Sequence, residues 1–258
     1  MKLTMKFAVL ALCFGASSAH ASLPAQSQAG LSNIGFELID LDLDDGVAPS
    51  IFFSNFVNSS NSLFVDAHDA SFNRTSSQIT STAAATSSQV SVPGAAASSY
   101  FAGDALASSV HMNRQGYYSS SQEFNRDFTL SANTLLLVYG NSVVDTPASF
   151  IGQYPNRYSE AAVLVSLRDT SHLPNGTDQF TYFNQSVANY ARTSHAASDF
   201  NLAFINETQA VLHGKFNIST SVYSNVTPVP EPETYLMMLA GLGLTAGIAR
   251  QRARRQAQ

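Results

Sequence analysis

Between residues 22 and 228 no stretch holds a helical period for long. β-branched and aromatic residues alternate instead with Ser, Thr, Asn and Gln. A two-residue period puts successive side chains on opposite faces, as a strand with one buried face requires. Ile39, Leu41 and Leu43 alternate with Asp40, Asp42 and Asp44, which reads as a half-buried strand. Phe128, Leu130 and then residues 134–139 flank Ser131-Ala132-Asn133, a hairpin candidate. Residues 161–167 form a short apolar strand, and residues 180–190 carry Phe180, Tyr182 and Val187. Residues 201–205 and 210–222 embrace Asn206-Glu207-Thr208, a second hairpin candidate. Short strands set apart by turn residues predict an all-β body, an antiparallel sandwich of jelly-roll type. Residues 74–99, rich in Ser, Thr, Ala and Gln, have few side chains large enough for a core and predict polar edge strands and loops. No internal repeat is visible, which argues against a solenoid.

The two ends differ from this body. Lys2 and Lys6 precede an unbroken apolar run over residues 7–14, and Ala19-His20-Ala21 follows with small residues at both cleavage positions. That three-part layout predicts a signal peptide over residues 1–21, cut by signal peptidase so that the mature chain starts at Ser22. Cys13 is preceded by Leu12 rather than a small residue and lies inside the apolar run, which argues against lipid attachment. It is the chain's one cysteine, so the mature body has no disulfide and relies on its core, on ions or on partners.

Residues 224–234 form a linker ending in Val229-Pro230-Glu231-Pro232-Glu233-Thr234. The two prolines donate no backbone hydrogen bonds and favour an extended segment that a membrane protease could grip. An apolar segment follows at 235–249 and then the tail 250–258 with Arg250, Arg252, Arg254 and Arg255. Fifteen residues make a helix of about 22 Å, against a hydrocarbon core of about 30 Å. The segment is a short transmembrane helix, marginal as an anchor. The arginines hold their side in the cytoplasm and place the body across the membrane. This succession of Pro-Glu-Pro, apolar helix and Arg run resembles the PEP-CTERM sorting signal of Gram-negative bacteria. The resemblance covers about the last thirty residues and implies processing by an exosortase, with Pro230, Glu231 and Pro232 as recognition residues. Tyr235 stands where that pattern carries Trp. Residues 34–53, with Leu-Ile-Asp-Leu-Asp at 38–42, resemble the start of a group of uncharacterised PEP-CTERM proteins, which brings no activity with it.

Residues 22–228 hold 7 Lys and Arg against 16 Asp and Glu, a net of −9. Phosphate binding needs clustered cations, so nucleic acid is not an expected partner. Divalent cations and a neutral or cationic extracellular polysaccharide are compatible with the charge. Asp40, Asp42 and Asp44, with Asp45 before Gly46, are the leading candidate for Ca²⁺, a hard cation bound by oxygen. The spacing departs from a calcium loop: Gly46 comes one place late and Ile51 stands where the closing glutamate belongs. A solvated strand face is the plainer reading. Asp66, His68 and Asp69 form a second polar cluster. Tyr100-Phe101 and Tyr117-Tyr118 are aromatic pairs that either bind sugar or pack the core. Asn-x-Ser/Thr triplets at Asn58, Asn73, Asn175, Asn184, Asn206, Asn217 and Asn225 suggest exposed turns. No Gly-x-Ser-x-Gly elbow is present, and no catalytic residue is assigned. The expectation is a non-catalytic structural or adhesive component of the cell surface or polysaccharide matrix, in contact with the inner membrane during export. The alternative is a secreted hydrolase of polysaccharide or peptide.

Overall fold

The computed structural model describes residues 25–69, 72–81, 87–112, 115–147, 158–171, 179–189, 194–226, 239–242 and 245. The described strands are β1 (Ala25–Asp40), β2 (Ile51–Asp69), β3 (Phe72–Ser81), β4 (Ser88–Val92), β5 (Ala95–Ala102), β6 (Ala105–Met112), β7 (Gln115–Leu130), β8 (Thr134–Thr146), β9 (Tyr158–Asp169), β10 (Phe180–Asn189), β11 (Ser194–Asn206) and β12 (Leu212–Val226). They form two six-stranded sheets, ordered β11-β8-β1-β6-β5-β4 and β10-β9-β12-β7-β2-β3. Every recorded pairing is antiparallel. The sheets lie face to face, with β10 against β11, β9 against β8, β12 against β1, and β3 against β4. The body is an antiparallel β-sandwich, as the two-residue period predicts.

Alternation places the core. In β12, Leu212, Phe216, Ile218, Thr220, Val222, Ser224 and Val226 all face inward, and β8 contributes Leu136, Val138, Ser142 and Val144 in the same way. Two strand glycines answer large neighbours. Gly140 pairs with Phe200, whose ring would lie 2.7 Å from an added Cβ, and Gly214 pairs with Phe128, whose ring covers it. A side chain at either place would displace the ring that fills the space.

Three expectations are corrected. The turns at 131–133 and 206–208 do not close hairpins, because β7 and β12 lie in one sheet while β8 and β11 lie in the other. Both turns cross between sheets, and their backbones bond each other, Asn133 N–H donating to Thr208 O at 3.2 Å. Asn133 takes φ 47° there, which asparagine tolerates better than most residues. The strand expected to run on past Asp40 stops at it, since its partner β8 begins at Thr134, opposite Asp40. Leu41 and Leu43 are therefore 46% and 85% exposed. Finally, β12 continues past residue 223, because Ser224 and Val226 are buried. The polar stretch 74–99 does supply edge strands, with β3 and β4 the last of their two sheets.

The signal segment 1–21 and most of 227–258 lie outside the described residues. Residues 239–242 and 245 are helical, and Thr245 Oγ1 donates back to Gly241 O at 3.1 Å. Among the described residues no helix is long and apolar enough to cross a membrane.

Candidate functional site

The two poles of the sandwich are built differently. Chain entry at Ala25 and exit at Val226 lie at one pole, where Ala25 pairs with Met112 and Val226 with Gly116. Here the sheets are joined by hydroxyl groups. Ser27 Oγ bonds Ser159 Oγ at 2.7 Å, Ser108 Oγ bonds Thr220 Oγ1 at 2.8 Å, and Asn61 Nδ2 donates to Ser99 Oγ at 2.5 Å. Each of these bonds runs from one sheet to the other. At the far pole the cross-sheet contacts are rings: Phe36 on Phe53 at 5.0 Å, Phe36 on Phe216 at 5.5 Å, Phe128 on Phe204 at 5.5 Å, and Phe183 on Phe200 at 5.1 Å.

Sheet edges of unequal length open a pocket at this aromatic pole. The β5–β6 hairpin turns at Gly103–Asp104, where Ile34 N–H donates to Asp104 O at 3.2 Å. β1 has just left β6 at Leu31 and passes through a register shift between Ser32 and Gly35. Beyond it β1 pairs β8 alone, whereas β12, β7 and β2 continue opposite. The uncovered space is a pocket of about 480 Å³, walled by Phe36, Phe53, Phe101, Phe124 and Phe216, with Asp104 and Arg126 as its charged groups. That volume lies in the range of small-ligand pockets.

Arg126 occupies an inward register position between Phe124 and Phe128, opposite Phe216. Its guanidinium lies over the Phe53 ring, 5.0 Å from the centroid, and its Nε–H donates to Ser54 O at 2.9 Å. A guanidinium on a ring face gains from the ring's negative face while keeping its outer donors available. Among the described residues no carboxylate lies within ion-pair reach of it, and the ion pair present is Lys215–Asp127 at 4.0 Å on the surface.

The predicted sites fall elsewhere. Asp40 ends β1, and Asp42 and Asp44 lie in the loop after it. Asp42 N–H donates to Asp40 Oδ1 at 3.0 Å and Asp44 N–H to Asp42 Oδ1 at 3.2 Å, so these carboxylates cap successive turns. Asp45 accepts from Asn133 Nδ2 at 2.7 Å and Val47 N–H at 2.7 Å, and these bonds, that of Asn133 first, hold its carboxyl below the usual range. Among the described residues no three His, Cys, Asp or Glu side chains gather as a metal group. Asp66, His68 and Asp69 are on β2 rather than in a loop.

The aromatic pairs split across their strands. Tyr100 is exposed and Phe101 walls the pocket, while Tyr118 is fully buried and Tyr117 lies on the outer face. Tyr117 meets Tyr223 edge to face at 4.8 Å, and burial, then Tyr117, raises the Tyr223 hydroxyl above its usual pKa. Most of the described Asn-x-Ser/Thr sites are on strands rather than in turns. Asn58, Asn73, Asn184, Asn217 and Asn225 are on strands, and Asn206 is buried at the end of β11 with its amide donating to Ser131 O at 2.8 Å. Asn175 lies outside the described residues, as do Ala19 and Ala21 of the cleavage site, Val229 to Pro232 of the sorting motif, and Arg250, Arg252, Arg254 and Arg255. Sequence reading missed the pocket. Its available signal is the charge in Phe124-Asn125-Arg126-Asp127-Phe128, where Arg126 shares a strand face with Phe124 and Phe128.

The strands and their order define an antiparallel sandwich with an aromatic pocket at one pole. Residues 228–255 match the PEP-CTERM protein-sorting motif, so this is a PEP-CTERM sorting domain-containing protein. The motif indicates an exported surface protein sorted by exosortase. No curated protein matches the chain. A solved β-sandwich carbohydrate-binding module of promiscuous specificity aligns over 70% of this chain and 98% of its own at 7% identity, with a TM-score of 0.13. So low a score carries no argument, and the fold rests on the strands themselves.

Proposed function

We propose that this protein is a non-catalytic structural or adhesive component of the cell envelope or extracellular polysaccharide matrix of a Gram-negative bacterium. Signal peptidase frees Ser22, the apolar segment 235–249 holds the chain transiently in the inner membrane, and exosortase cuts near Pro230–Pro232. The observation that carries the reading is the sorting motif, which starts at residue 228, two residues beyond the end of β12. The body is thus delivered with its serine pole toward the membrane. The aromatic pole points outward, since the eleven residues from Phe216 to Val226 span about 33 Å of strand.

Matrix fractionation of the native host tests this. The protein is expected to co-purify with extracellular polysaccharide, and its deletion to weaken matrix cohesion or surface attachment without altering polysaccharide chain length. Depolymerisation of matrix polysaccharide by the purified protein would replace this reading with the hydrolase.

A further inference from the structure

We infer that the aromatic pocket binds one uncharged pyranose unit of a polysaccharide, a ligand class that rests on the surface-matrix reading above. The argument turns on what the pocket offers and what it leaves unsatisfied. Phe36, which is 39% exposed, contributes accessible ring surface beside Phe53, Phe101 and Phe216. Such rings favour the apolar C–H faces of a saturated ring. Arg126 brings one positive charge and Asp104 one negative charge to the same lining, and they are not joined to each other by an ion pair. The Asp104 main-chain oxygen is used by Ile34, whereas its exposed carboxylate has no partner among the described residues.

Each ligand class can be weighed against this set. A purely apolar ligand would desolvate the Arg126 guanidinium without replacing its hydrogen bonds. An anionic group would meet Asp104 and a body with a net charge of −9, which lowers its local concentration. A cation would meet Arg126. A neutral ring with several hydroxyl groups suits all three features. Its hydroxyl oxygens accept from the planar guanidinium, its hydroxyl protons go to the Asp104 carboxylate, and its C–H face covers the phenyl rings.

The test uses the mature protein purified from its host, with folding checked by circular dichroism. Neutral oligosaccharides of the gluco, galacto, manno and N-acetylgluco series are titrated by ligand-observed NMR, with an oligohexuronate of equal length as the acidic control. At least one neutral series is expected to bind, and the hexuronate is not. Asp104→Asn and Arg126→Gln should each weaken binding about tenfold, the effect of losing one charge-assisted bond. Ser108→Ala at the other pole should leave it unchanged. Asp104→Asn alters an exposed turn side chain, so its result stands even where Arg126→Gln disturbs folding. Absence of binding to every neutral series by the folded protein, preference for the hexuronate, or binding indifferent to Asp104→Asn each overturns the inference. Failure here with the protein still in the matrix leaves the surface reading intact. Sugar binding by a protein that never leaves the inner membrane would instead sink the surface reading alone.

Discussion

The serine pole and the aromatic pole of the same sandwich join their sheets by different physics. At the serine pole hydroxyl groups reach across directly, as where buried Ser27 meets half-buried Ser159 at 2.7 Å and buried Ser224 at 3.3 Å on the facing sheet. Small side chains let facing sheets approach closely, and the hydroxyls of Ser27, Ser108 and Thr220 find partners in the opposite layer. Among the described residues two side-chain oxygens, Asn61 Oδ1 and Gln122 Oε1, stay buried without a partner. At the aromatic pole large rings meet across the layers, tilted, edge on or stacked, and gain apolar area and dispersion contacts. One pole specifies how the sheets register. The other brings large rings together around the pocket.

Substitutions can break or sharpen this contrast. The largest effect belongs to Phe128→Ala, which removes a buried ring that contacts Phe53 and Phe204 and covers Gly214. A loss of about 3–5 kcal/mol is expected in urea unfolding; a loss no greater than that of a serine truncation would erase the distinction between poles. Next come Ser108→Ala and Thr220→Val, which each leave a buried hydroxyl without its partner at 2.8 Å. Each single change should cost about 1–3 kcal/mol, and the double change less than their sum, because it leaves no orphan. Strict additivity would mean that the bond does not link the sheets. Ser27→Ala should cost about 1 kcal/mol, since Ser159 and Ser224 keep their own bond.

The smallest effect is local and pH-dependent. Asp45 in the folded chain holds its proton less tightly than its ordinary value of 3.8 implies, through Asn133 and then Val47. Its contacts are therefore complete above that pH and are released as pH falls through the lower folded value. The Asn133 side-chain amide resonances should shift over that acid window, and Asp45→Asn should abolish the shift. A titration unchanged in the variant would detach this loop contact from Asp45.

What could be read from the sequence follows from the range of each signal. The two-residue alternation in residues 134–139 or 210–222 is local, and it located strands that fall in β8 and β12 while stopping short of their far ends. It carries no information about which sheet a strand joins. Ser131-Ala132-Asn133 therefore looks like a hairpin while crossing between layers. The Asp40 to Asp45 run satisfies the same alternation as a strand, and only the absence of a β8 partner past Thr134 turns it into a chain of capped turns. The pocket is beyond local reading altogether, since Phe36, Phe53, Asp104, Arg126 and Phe216 come from β1, β2, the β5–β6 turn, β7 and β12. The sorting tail was legible because its parts act in order along one continuous segment, and the motif match at 228–255 agrees.

The most direct test of the account is the intact mass and location of the protein in its native host, with and without the matching exosortase. The account predicts a mature form that starts at Ser22, lacks the residues beyond the Pro-Glu-Pro element, and lies outside the cell when exosortase is present. Retention of residues 235–258 in an inner-membrane form in both strains would contradict it.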